Sequence, residues 1–118
     1  MGTLITTVCE SCGYRKDNMA LFGGMIGFLD TCMIPYYCES CNTLFEGNML
    51  EDDIFCPECG KDNTFSYEDA RTGFKEDKTL FSWFVHKFER EVKLNEEGNL
   101  CPKCANFTLK FEDVGNWD

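Results

Sequence analysis

Nine of the 118 residues are cysteine, and eight of them fall into four C-x-x-C pairs. The pairs are VCESCGY around Cys9 and Cys12, YCESCNT around Cys38 and Cys41, IFCPECG around Cys56 and Cys59, and LCPKCAN around Cys101 and Cys104. A C-x-x-C turn aims two thiolates at one point about 2.3 Å from each sulfur, and two such turns complete the tetrahedral four-sulfur shell that zinc prefers. Four turns therefore make two shells, with Cys9, Cys12, Cys38, Cys41, Cys56, Cys59, Cys101 and Cys104 as the ligands and two zinc ions as the expected cofactors. Cys32 stands outside the pattern, and a free cysteine of this kind behaves as a small buried hydrophobe.

The residues around each pair suit a metal-holding turn. Gly13 and Gly60 follow the second cysteine, where the chain reverses tightly with positive φ. Asn42 takes that position in the second pair and tolerates the left-handed region; Ala105 takes it in the fourth and tolerates it less readily. Pro57 and Pro102 fix φ between the ligands.

Two other chemistries use the same residues. A disulfide scaffold would suit a secreted chain of this size, but MGTLITTVCESCGYRK has no basic stretch leading into an apolar one. The expected compartment is the reducing cytoplasm. A redox C-x-x-C needs one reactive pair in a βαβ setting rather than four similar turns.

Two pairing plans are open. Only 14 residues separate Cys41 from Cys56, and this stretch carries two short apolar runs around Gly47 and an acidic turn, the pattern of a β-hairpin joining two turns. The short closing loop favours a nested plan in which residues 36–67 form a self-contained unit and Cys9, Cys12, Cys101 and Cys104 tie the chain's outer segments together. Likeness within CESC and CESC, and within CPEC and CPKC, favours a sequential plan.

The segments between the knuckles must position these turns. LITTVC (4–9) is a strand entering the first turn. Residues 20–37 are strongly apolar but broken by Gly23, Gly24, Gly27 and Asp30, too interrupted for a membrane span, and fit a buried loop or irregular strand. NTFSYED offers a strand, and residues 68–77 a polar loop. Over 79–91 the spacing of Leu80, Phe84, Phe88 and Val92 predicts one helix capped by Thr79, although LFSWFV is also rich in strand formers. A final strand alternates with Phe107, Leu109 and Phe111 on one side and Thr108, Lys110 and Glu112 on the other. The expected fold is a small, metal-stabilised, mainly-β single domain over 1–118, because a unit of about 30 residues cannot bury enough apolar surface to fold without metal.

At this point the residues resemble known families. Residues 36–67 look like a zinc ribbon of the rubredoxin-like kind, in which C-x-x-C and C-P-x-C-G knuckles cap β-hairpins. CESCGY from Cys9 and CPECG from Cys56 resemble the two knuckles of rubredoxin itself, which implies an iron-centred electron carrier as an alternative. The chain departs from rubredoxin by a third knuckle at Cys38 and Cys41 and by 43 residues between the two knuckles. As a whole it is similar to bacterial proteins with four such knuckles, a resemblance that implies a metal-bound fold without an assigned activity.

Charge and composition narrow the function. The formal net charge is −10, and two four-thiolate zinc centres, at −2 each, would take it to about −14. Many zinc ribbons bind nucleic acid, but the eleven basic residues form no run beyond Arg15 and Lys16, so polyphosphate would be repelled. His86, the single histidine, is expected to face solvent, and the carboxylate clusters sit at turns. Complete four-cysteine shells leave no open coordination position for a catalytic metal. The expectation is therefore a non-enzymatic zinc-ribbon module that binds another protein, through residues 20–37 or the aromatic-rich 80–88. Nucleic-acid binding is the weaker alternative.

Overall fold

The computed structural model describes residues 2–23, 31–51, 53–85 and 88–117. The fold is mainly β, and the only helical elements among the described residues are two 3-10 turns, Ala70–Thr72 and Glu76–Lys78. The strands are β1 (Gly2–Cys9), β2 (Arg15–Leu21), β3 (Met33–Cys38), β4 (Thr43–Asn48), β5 (Thr64–Ser66), β6 (Thr79–Val85), β7 (Arg90–Asn95) and β8 (Leu109–Trp117). They form sheets of order β2-β1-β8, β4-β3-β5 and β6-β7, with every pairing antiparallel.

Each of two knuckles turns one strand into the next. β1 runs into the Cys9 turn and leaves it as β2, while β3 runs into the Cys38 turn and leaves it as β4, with Cys38 paired to Thr43. The expected hairpin inside the Cys41–Cys56 loop is corrected here: β4 supplies its first run, but its partner is β3 on the other side of the knuckle. The second run, Met49 and Leu50, lies in a turn, and residues 53–56 form no strand; the third place in the sheet is taken by β5, which pairs Cys38 with Thr64.

β3 is a central strand and contains Pro35, which cannot donate to a ladder. Its carbonyl accepts the N–H of Tyr67 at 3.1 Å, just past the end of β5. In an antiparallel strand a residue's N and O face the same side, so the missing N–H falls where the ladder has already ended. An isolated bridge between Phe22 and Met33 joins β2 to β3 and links the first two sheets.

The helix expected over 79–91 is two strands instead. β6 and β7 pair from Thr79↔Asn95 to Val85↔Arg90, and Glu89 turns the chain with φ 51°. The buried residues are Phe81, Val85, Val92 and Leu94, whereas Phe84 and Phe88 of the supposed helical stripe are 48% and 44% exposed. Positions 80, 84, 88 and 92 are all separated by multiples of four, a spacing that puts residues on one side of a strand as readily as on a helix. The aromatic and β-branched content decided the matter. His86 lies outside the described residues.

The core between the sheets is built from Ile5, Met19, Leu21, Ile34, Tyr67 and Phe111, all fully buried. Trp83 of β6 stacks on Phe22 at 5.4 Å, and Tyr67 meets Phe111 edge-on at 5.5 Å. Asn95, also fully buried, donates to the Gly73 carbonyl and accepts from the Lys75 N–H, which fixes the loop between β5 and β6. The final strand alternates as expected at Leu109 and Phe111, but begins later: Phe107 precedes β8 and is 55% exposed. Cys32 is buried, and the described part of residues 20–37 belongs to β2, β3 and the bridge between them.

Candidate metal centres

The four knuckles meet in two groups: Cys9, Cys12, Cys101 and Cys104, and Cys38, Cys41, Cys56 and Cys59. This is the nested grouping. Within each group the sulfurs all lie within 4.8 Å of one another. The cross-knuckle distances are 3.7 Å for Cys9–Cys104, 3.6 Å for Cys12–Cys101, 3.7 Å for Cys38–Cys59 and 3.8 Å for Cys41–Cys56. A regular tetrahedron whose corners stand about 2.3 Å from its centre has edges of about 3.8 Å. The sulfurs are thus set at the spacing of a tetrahedral thiolate shell, and all nine cysteines are free thiols. Zinc and iron both accept such a shell.

The local cause is one repeated turn. In three knuckles the first cysteine's carbonyl accepts the N–H four residues on, from Gly13, Gly60 or Ala105, at 2.8–3.0 Å. Its own N–H donates to the carbonyl five residues on, at Tyr14, Lys61 or Asn106, at 2.8–2.9 Å. The residue after the second cysteine is left-handed in all four: Gly13 at φ 81°, Asn42 at 50°, Gly60 at 72° and Ala105 at 61°. Ala105 therefore adopts the conformation that its side chain disfavours, and the knuckle keeps its shape despite the residue.

Burial follows position within the turn. The first cysteine of each pair is buried, while the second is half-buried at Cys41 and Cys104 and exposed at Cys12 and Cys59. Both centres thus lie just under the surface with one sulfur at the solvent edge.

The thiol acidities are split, as they must be where four sulfurs share one small volume. Burial raises Cys9, but hydrogen bonds from Thr108 and the backbone of Cys12 and Ser11 outweigh it and bring the thiol down to about 6. In the same group burial pushes Cys101 up to about 12. In the other, the Lys61 N–H lowers Cys59 to about 7, while its hydrogen bond with Cys59, followed by burial, pushes Cys41 up to about 12. One thiolate thus raises the cost of the next, a cost that a divalent ion bound at the centre would remove.

Several supporting residues have no spacing signature. Thr108 Oγ1 stands 3.1 Å from Cys9 Sγ. Asn63 donates to Ser40 Oγ at 2.7 Å and its carbonyl accepts the Glu39 N–H, stitching the Cys38 knuckle to the chain beyond Cys59. Tyr67, on the chain leaving β5, donates its hydroxyl to the Leu100 carbonyl at 2.6 Å, next to Cys101, and so ties the β4-β3-β5 sheet to the other cysteine group. Single hydrogen-bonding residues of this kind are ordinary in any sequence, so nothing marked them beforehand.

Among the described residues no helix is long and apolar enough to cross a membrane. The chain matches no protein-family model, no curated protein and no solved structure.

Proposed function

We propose that both cysteine groups hold structural zinc and that the chain is a non-enzymatic, zinc-ribbon protein-interaction module of the cytoplasm. The observation that carries the metal assignment is the set of 3.6–3.8 Å sulfur spacings in two four-thiol groups. A full shell of four thiolates leaves no vacant position for substrate, which favours a structural role over a catalytic one. The energetic need is clear as well: each structural zinc contributes on the order of 10 kcal/mol of folding free energy at neutral pH.

Charge supports a protein partner over a nucleic acid. Five basic side chains are already paired: Arg15 with Asp17, Arg71 with Asp69, Arg90 with Glu68, Lys93 with Glu76 and Lys110 with Glu10. With a net charge of −10, such a surface suits basic partners. The rubredoxin-like alternative, an iron electron carrier, draws on the exposure of Cys12 and Cys59, which places each centre near the surface where electrons must pass. Native mass spectrometry with elemental analysis of the reduced, freshly purified protein decides between them. Two zinc ions per chain are expected. Iron, with the red colour of its oxidised thiolate centre, would establish the alternative, and a metal-free chain carrying disulfides would refute both.

A further inference from the structure

Beside the Cys56 knuckle lies an open groove of about 390 Å³, walled by Met33, Phe45, Ile54, Phe55 and Pro57. We infer that it is the docking site for a basic protein segment that inserts one large apolar side chain. The inference rests on the interaction-module reading above and names the surface and the chemistry of the partner.

Three observations converge on it. Phe55 is 55% exposed although it adjoins the buried Cys56, so a large ring stands at the surface directly beside the knuckle. The polar lining is Thr31, Glu46, Asn48 and Glu51, so its charged members are both acidic; exposed Asp53 follows in the chain towards the knuckle, and no lysine or arginine lines the groove among the described residues. The floor is preformed. Gly47 lines the groove without a Cβ, and a Cβ there would lie 2.7 Å from the Tyr36 ring and 3.3 Å from Ile54, so glycine lets those side chains close over β4. A preformed apolar slot with two glutamates in its wall, one of which, Glu46, also accepts the Ala20 N–H at 3.0 Å, suits an apolar anchor flanked by lysine or arginine. The volume takes one or two large side chains and falls at the small end of the range for organic ligands. An acidic or nucleic-acid partner would meet like charge on the rim.

The test uses the full, metal-loaded chain and a panel of fluorescently labelled synthetic peptides. Each peptide has leucine, methionine, phenylalanine or tryptophan at its centre, flanked by lysine and arginine; a matched panel carries glutamate flanks. Expected is saturable binding of at least one basic peptide that weakens as salt is raised. Phe55→Ser should weaken it by at least about tenfold, and Glu51→Lys with Asp53→Lys by about tenfold with loss of the salt dependence. Phe107→Ser, at the other 55% exposed phenylalanine, should leave it unchanged. The double lysine variant alters only exposed residues, so it keeps the test decisive should Phe55→Ser fail to fold.

Absence of binding by every basic peptide would overturn the proposal, as would equal binding of the glutamate panel or indifference to both variants. Dimerisation of the wild type that Phe55→Ser abolishes would do so too, by making a second copy the occupant. Metal content is read on the same samples. Two zinc ions without peptide binding would sink the groove alone, whereas a metal-free chain that binds with the expected mutational profile would sink the structural-metal reading and leave the groove standing.

Discussion

Replacing Ala105 with glycine should stabilise the protein. Ala105 sits after the second cysteine of its knuckle at φ 61°, and its N–H closes the turn on the Cys101 carbonyl at 3.0 Å. Holding an L-residue in the left-handed region costs about 1–2 kcal/mol. Glycine removes that cost but gains about 0.4–1 kcal/mol of chain entropy in the unfolded state. The difference leaves Ala105→Gly more stable by about 0.5–1 kcal/mol. Gly60 provides the mirror experiment: it holds the same place at φ 72°, and a Cβ built there meets nothing within 4 Å. Gly60→Ala therefore isolates the backbone term and should cost about 0.5–1 kcal/mol. Both are measured by urea unfolding at one buffered free-zinc concentration, because bound metal shifts apparent stability by mass action. Equal slopes with midpoints displaced in opposite directions are expected. A destabilised Ala105→Gly, or a neutral Gly60→Ala, would refute the claim that one shared turn geometry shapes these knuckles.

Other perturbations test the rest of the structure. Cys59→Ser should lose one metal and loosen β3, β4 and β5, whereas Cys32→Ser should retain both metals; equal metal loss by elemental analysis would contradict the grouping. Gly47→Ala should destabilise by about 1–3 kcal/mol through overpacking against the Tyr36 ring, 2.7 Å from the added carbon, as read by thermal unfolding. Zinc binding should release protons from both centres at pH 7, chiefly from Cys41 and Cys101, which are held up to about 12, and less from Cys59, near 7, and Cys9, near 6. The sign follows directly: protons compete for the sulfurs, so affinity falls as pH falls, and calorimetry in buffers of different ionisation enthalpy reads the count. The Cys32 thiol, pushed up to about 12 chiefly by burial, should resist iodoacetamide in the folded chain and react on unfolding, as followed by mass spectrometry.

The two cysteine groups were legible in the sequence because C-x-x-C spacing is a local geometric constraint that survives without knowledge of the fold. Their nested pairing was legible only as a preference, since loop-closure entropy and the likeness of CESC to CESC pull opposite ways and the sheets decide. The β6-β7 hairpin was misread for a different reason: spacings in multiples of four satisfy helix and strand alike, and only the turn at Glu89 separates them. Alternation places Phe107 on the same side of the last strand as Leu109 and Phe111, but it cannot say where a strand begins, and β8 starts two residues later. The bonds of Tyr67 to Leu100 and Asn63 to Ser40 depend on distant segments meeting, which no local pattern records.

The nested arrangement also sets an order of events during synthesis. Contacts within the ribbon centre join residues 15 and 21 apart, whereas those of the outer centre join residues 89 and 95 apart. At about 5–20 residues per second, the Cys9 and Cys12 knuckle leaves the ribosome on the order of 5–20 s before the cysteines that complete its shell. For that interval two thiols wait without their partners while the inner group of Cys38, Cys41, Cys56 and Cys59 is already complete. The outer group acts as the seal on a finished chain: a truncated product lacking residues 101–104 keeps all four cysteines of the inner group but only two of the outer one.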